Sequence, residues 1–107
     1  MKASAAVSVI IPNWNGEALL QPCLAALRSQ SFRDFSVLVV DNGSADSSVG
    51  LVRGAFPEFQ VLELPSNRLF AGAVNAGIRA TEAPVVVLLN NDTEADPDWL
   101  LALSQAL

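Results

Sequence analysis

Val85-Val86-Val87-Leu88-Leu89 runs straight into Asn90-Asn91-Asp92-Thr93. The first five residues are apolar and three of them are β-branched; the polarity then switches within one residue. A short unbroken apolar run bounded by turn residues reads as a strand buried on both faces. Such strands belong to parallel sheets covered by helices, and those sheets hold ligands just past the carboxyl ends of their strands. Residues 90–92 therefore stand where a ligand would be held.

The chain upstream alternates between two periodicities. Residues 7–11 form an apolar run stopped by Pro12, the first expected strand. The turn Asn13-Trp14-Asn15-Gly16 follows. Leu19, Leu20, Cys23, Leu24 and Leu27 then recur at helical spacing to about Ser29. Pro22 fits only the first turn of a helix, so the regular helix is expected to start near Gln21, with Leu19 and Leu20 as a lead-in turn. Residues 35–40 read as a second strand ending in Asp41-Asn42-Gly43-Ser44. Asp46 or Ser44 is placed to cap a helix with Val49, Val52 and Phe56 on its apolar face, stopped by Pro57. Residues 59–64 are a third strand, and residues 70–80 a small-residue helix with Phe70, Val74 and Ile78 on one face. Gly72 and Gly77 each cost that helix about 1 kcal/mol against alanine, which points to close packing or a ligand. After the fourth strand, Asp96-Pro97 opens a last helix over residues 98–107. Strict alternation of strand and helix implies right-handed crossovers and a parallel sheet. The expected fold is α/β: a Rossmann-like, doubly wound three-layer α/β/α half domain with strand order 3-2-1-4.

Composition narrows the function. The 107 residues suit one domain, and half are apolar. Six basic against eleven acidic residues give a net charge of −5, which argues against nucleic acid or an anionic membrane surface as partner. With no histidine, His-based triads and His-ligated zinc fall away. The single Cys23, on the apolar face of a helix, is expected in the core. With no signal peptide and no bilayer-length apolar run, a cytoplasmic location is expected.

Each expected strand ends in polar residues at the same edge of the sheet. Asn13, Asn15, Asp41 and Asp92 should line one crevice where the strand order reverses. Neither a dinucleotide glycine fingerprint nor a P-loop is present, so phosphates are not cradled by a glycine-rich turn. A carboxylate-lined crevice repels a diphosphate unless a hard divalent cation intervenes, and one carboxylate plus phosphate oxygens makes a typical Mg²⁺ or Mn²⁺ site. Asp92 is the candidate ligand. Asp41 is placed to accept hydrogen bonds from a base or ribose. Trp14 either stacks on a base or anchors its turn. Asp96, the acid nearest the expected site beside Asp98, is assigned to capping.

These stretches resemble a family. Residues 7–16 (VSVIIPNWNG), 39–46 (VVDNGSAD), 67–78 (NRLFAGAVNAGI) and 88–93 (LLNNDT) are similar to the amino-terminal half of family 2 glycosyltransferases, in the branch containing rhamnosyltransferase-type enzymes. The resemblance implies the GT-A fold and sugar transfer from a nucleotide-diphosphate donor, UDP- or dTDP-linked first, to a saccharide or lipid-linked acceptor in cell-envelope polysaccharide synthesis. It places Pro12, Asn13, Asn15 and Asp41 at the nucleoside, and Asn67, Gly72 and Asn75 at the floor of the donor site. Asn90-Asn91-Asp92 falls at the family's D-x-D position, with Asp92 as metal ligand. Asn90 departs from the pattern: an amide can still bond a ribose hydroxyl but adds no charge for the metal. The family's catalytic base and acceptor site lie further along than Leu107, so the chain is expected to be the donor-binding half of an inverting, metal-dependent enzyme, binding without turnover and peripheral to the inner membrane face when full-length. The alternative is a non-catalytic nucleotide- or sugar-binding module, or an interaction domain, on the same fold. The fourth strand and last helix are expected to be open to self-association.

Overall fold

The computed structural model describes residues 5–107. Four parallel strands, β1 (Val7–Asn13), β2 (Phe35–Asp41), β3 (Gln60–Glu63) and β4 (Val85–Leu88), form one sheet in the order β3-β2-β1-β4. They alternate with α1 (Glu17–Arg28), α2 (Ser48–Ala55), α3 (Leu69–Ala80) and α4 (Trp99–Ala106). The register runs from Val7 opposite Phe35 to Asn13 opposite Asp41, so β1 and β2 end side by side. Alternate side chains of the two central strands feed two cores. Val9, Ile11, Val37 and Val39 pack under α1, α2 and α4; Ile10, Leu38 and Val40 pack under α3. The three-layer expectation and the strand order hold. Among the described residues no helix is long and apolar enough to cross a membrane.

Several local expectations are corrected. Helix α1 begins at Glu17, not near Gln21, and carries Pro22 inside it. An interior proline costs about 3 kcal/mol, but α1 buries Leu20, Leu24 and Leu27 completely, at roughly 2 kcal/mol each. Burial outweighs the lost bond, and Ala18, whose carbonyl would have accepted it, is at the surface. Strand β1 continues through Pro12 to Asn13. Ile10 points its carbonyl at β4, accepting the Leu89 N–H at 3.0 Å. Pro12 shares that orientation, and the β4 ladder has already stopped at Leu88, so no partner misses its N–H.

Strand β4 is not buried on both faces. Val85 and Val87 pack on the α1 side, whereas Val86 and Leu88 are exposed, because α3 lies over β1 and β2 and stops short of this edge. Helix α3, finally, buries Ala73, Val74 and Gly77 and leaves Phe70 and Ile78 exposed. A Cβ on Gly77 would lie 2.7 Å from Ile10 Cγ2 and 2.9 Å from Val40 Cγ2. The helix rests on the sheet through the glycine, which rotates the larger apolar side chains outward.

The last helix is held by a residue with no motif. Gln30 is buried; its amide donates to the Asp96 carbonyl at 2.7 Å and accepts the Leu100 N–H at 3.0 Å. It thereby supplies the first turn of α4 with a cap from across the chain. The cap position of α4 is Asp98 and not Asp96 as expected; Asp96 instead accepts the Asp98 N–H at 2.9 Å in the turn that leads into the helix. The cap position of α2 is likewise Ser47 and neither Asp46 nor Ser44; Asp46 accepts the Ser48 N–H at 3.0 Å from one residue further out.

Candidate nucleotide-binding site

A cavity of about 410 Å³ opens beyond the carboxyl ends of β1, β2 and β4. Its lining is Pro12, Asn13, Trp14, Asn42, Asn67, Leu69, Phe70, Asn90, Asn91 and Asp92. Six of the sequence-derived candidates thus meet there: Pro12, Asn13, Asn67, Asn90, Asn91 and Asp92. A larger groove of about 730 Å³ lies at the opposite, amino ends of the strands, among Arg33, Glu58, Arg79 and Glu82. Ligands of parallel sheets bind at carboxyl ends, so the smaller cavity is the candidate site.

Beneath the cavity a chain of hydrogen bonds ties three strand ends together. Asp41 is 3% exposed and does not reach the lining. Its Oδ1 accepts from Asn13 Nδ2 at 3.3 Å and its Oδ2 from the Ser44 N–H at 2.9 Å. Asn13 Oδ1 in turn accepts from Asn91 Nδ2 at 2.9 Å. Gly16 is required beside this bond: a Cβ there would collide with Asn91 Nδ2 and approach Asn13 Oδ1 to 2.6 Å. Asn15, with a left-handed φ of 49°, lies outside the lining and staples the next loop, its Oδ1 accepting the Ala45 N–H at 2.7 Å. Gly72 and Asn75 lie on α3 away from the cavity; a Cβ on Gly72 would approach Arg68 Cβ to 2.6 Å.

Asn42, Leu69 and Phe70, which the sequence did not mark as site residues, complete the wall beside Asn67 and Trp14. Asn42 Oδ1 accepts the Arg68 N–H at 2.7 Å and its Nδ2 donates to the Leu69 carbonyl at 3.1 Å. Asn67 Oδ1 takes the Leu69 N–H at 2.7 Å. These bonds hold Leu69 at φ 62°, a conformation that costs a branched residue on the order of 1 kcal/mol. Leu69 is 76% exposed and lines the cavity with Phe70 and Trp14, which is 55% exposed. The one available signal was Asn42, next to Asp41; the left-handed leucine left no mark in the sequence.

The electrostatics are one-sided. The lining holds one carboxylate, Asp92, and no basic residue. Among the described residues no three His, Cys, Asp or Glu side chains come together as a metal cluster. Asp92 is exposed and flanked by two amides, a hard-oxygen donor set with positions left for a ligand's own oxygens, which fits Mg²⁺ or Mn²⁺ shared with phosphate. Cys23 lies below this loop, its Sγ donating to the Asn90 carbonyl at 3.8 Å. Burial, then the negative charges of Asp92 and Glu94, pushes its thiol up to about 11, so it is an inert core group.

Comparison with known proteins decides the family. The family model described as glycosyl transferase family 2 matches residues 8–107. The chain belongs to glycosyl transferase family 2. This family 2 domain is 33% identical over 99 residues to the glycosyltransferase AglE of Haloferax volcanii, covering 88% of the chain and 33% of AglE. Its fold superposes on residues 1–349 of S. aureus TarS in complex with UDP-GlcNAc with a TM-score of 0.86 and 25% identity, over 92% of the chain and 30% of that segment. It superposes on the mannosyltransferase PcManGT of Pyrobaculum calidifontis, in complex with GDP-Man and Mn²⁺, with a TM-score of 0.75 and 27% identity, over 84% and 28% of the two chains. The GT-A fold is thereby established. The domain spans about a third or less of the length of the curated relatives it matches.

Proposed function

We propose that this domain binds the nucleotide-diphosphate sugar donor of an inverting, metal-dependent glycosyltransferase. The observation that carries the reading is the cavity at the carboxyl ends of β1, β2 and β4, with a single carboxylate and no cation of its own. Two neighbours in complex with nucleotide sugars, one of them with Mn²⁺, support it. The nucleoside would enter between Trp14 and Phe70, with Asn42, Asn67 and Asn90 as polar partners. Asp92 would hold Mg²⁺ or Mn²⁺, which supplies the positive charge that a departing nucleoside diphosphate needs. Asn13 and Asp41 lie behind these contacts.

The acceptor, saccharide or lipid-linked, would approach from the open side of Asp92, and its hydroxyl would displace the diphosphate at the anomeric carbon with inversion. The proton of that hydroxyl needs a carboxylate base, and no residue in the lining other than Asp92 is acidic. We therefore assign donor binding, not turnover, to these residues. Hexosyl transfer, the rhamnosyltransferase-like branch, a role in envelope polysaccharide and a place at the inner membrane face of the cytoplasm belong to the same proposal. So does pairing of the β4 edge with a second copy, for Val86 and Leu88 turn unpaired backbone groups outward. Sedimentation showing only monomer at high concentration would remove that last element.

Calorimetric titration with UDP, dTDP and GDP, each with and without Mn²⁺, tests the reading. Binding of one nucleotide that requires Mn²⁺ and is lost in Asp92→Ala is the expected result. Binding indifferent to both metal and Asp92 would refute the cation-bridged site.

A further inference from the structure

The hydrogen bonds under the cavity have a forced polarity. A carboxylate only accepts, so Asp41 obliges Asn13 to turn its NH₂ inward, towards Asp41 Oδ1 at 3.3 Å. Asn13 must then offer its oxygen to Asn91, whose NH₂ approaches it at 2.9 Å. Asn91 lines the cavity, and its carbonyl oxygen accepts no side-chain or backbone bond from the described residues, which frees it for a ligand. Gly16 packs against the Asn13–Asn91 contact, where an added Cβ would have to displace one of the two amides. Asp41 itself has no exposed surface in the cavity and both its oxygens are used.

We propose that Asp41 and Asn13 are positioning residues that act through Asn91, setting its amide so that an acceptor oxygen faces the donor nucleotide. The nucleotide group recognised is a hydrogen-bond donor, a ribose hydroxyl or a base N–H. This deepens the donor-binding reading and rests on it for the ligand, but the relay has consequences that need no ligand.

Asp41→Asn is the decisive change. The Ser44 N–H fixes the new amide with its oxygen outward and its NH₂ towards Asn13. Asn13 must reverse, then Asn91, and every bond is remade with the opposite polarity. The variant should melt within about 3 °C of wild type, as expected when no bond is lost. Its cavity now presents an NH₂, and nucleotide affinity should fall about tenfold, the worth of one hydrogen bond turned repulsive. Loss of a negative charge alone would instead strengthen binding of a diphosphate. Asn91→Asp places carboxylates at both ends of Asn13, which can satisfy only one, and should lower the melting temperature by about 5–10 °C. Combining the two changes satisfies both ends again and returns an oxygen to the cavity.

The double variant should therefore regain the melting temperature lost in Asn91→Asp and the UDP–Mn²⁺ affinity lost in Asp41→Asn. Additive melting temperatures, with no rescue, would overturn the relay whether or not nucleotide binds. Rescue of stability without rescue of affinity would refute the positioning role and leave Asp41 as a direct contact. Rescue of stability in a protein whose wild type binds none of UDP, dTDP or GDP would refute the donor-site role of Asn91, and with it the donor-binding reading, while keeping the relay as a folding element.

Discussion

Gly77→Ala sets two opposed effects against each other. In a helix interior, alanine is worth about 1 kcal/mol over glycine. Gly77 lies well inside α3, so propensity alone makes the variant more stable. The structure says otherwise. The added methyl would lie 2.7 Å from Ile10 Cγ2 and 2.9 Å from Val40 Cγ2, when carbon atoms prefer about 3.5–4.0 Å. Ile10 and Val40 are fully buried and β-branched, so neither can swing aside. Two collisions with rigid neighbours put the overpacking in the upper part of the usual range, about 2–3 kcal/mol, and the helix gain of about 1 kcal/mol leaves a net loss of roughly 1–2 kcal/mol. Gly50, in α2, has nothing within 4 Å of its Cβ position and serves as the control. Gly50→Ala should gain close to 1 kcal/mol. The two melting temperatures should then differ by about 8–24 °C, at 4–8 °C per kcal/mol for a domain of this size. Urea melts with unchanged slope would show that stability changed without a change in the surface exposed on unfolding. Adding Val40→Ala to Gly77→Ala removes one of the two collisions, so the pair should cost less than the sum of its parts. Gly77→Ala at or above wild-type stability would refute the claim that α3 rests on the sheet through this residue.

Other outcomes follow from single contacts. Gln30→Leu leaves the Leu100 N–H and the Asp96 carbonyl without their partner; we expect a loss of about 2–3 kcal/mol and faster exchange of α4 amides, measured by urea melts and hydrogen exchange. Cys23 should resist iodoacetamide at pH 8 in the native state and react at once in urea, since its thiol is raised to about 11 when folded. The folded state therefore holds the thiol proton more tightly than the unfolded one, whose value is near 9.0. Its contribution to stability is complete below pH 9 and is lost as pH rises towards 11, a slope that Cys23→Ser should flatten. Trp14→Phe should abolish any fluorescence change on adding UDP and Mn²⁺ while Trp99, packed against the core, stays silent.

Much of the fold was legible because its signals are local and repeated. Alternating apolar periods announced all the strands and helices, and the turn chemistry at 13–16, 41–44 and 90–93 marked the functional edge. What was not legible depends on contacts between distant segments. Pro22 was read by propensity alone, and the burial of three leucines overrode it. Spacing groups Phe70, Val74 and Ile78 on one face, yet of these only Val74 is buried, because the helix docks through Gly77, whose small size is the point of contact. The site was legible as a set of residues and not as a hierarchy. Asn13, Asp41 and Asn91 were all singled out, but which of them faces the cavity follows from the direction of each hydrogen bond, and no spacing rule encodes that.

The wiring of the carboxyl edge also bears on when the site comes into being. The Asn13–Asp41 bond closes across 28 residues and the Asn13–Asn91 bond across 78. Contacts of such separation are made late, after the loop entropy between them has been overcome. The first and second strands can pair, and the α1 side of the core can begin to consolidate, before β4 arrives. The cavity cannot exist until it does. An intermediate lacking β4 would be compact and helical yet blind to nucleotide. Recovery of nucleotide binding during refolding should trail recovery of helical signal, making ligand capture a clock for the docking of the last strand.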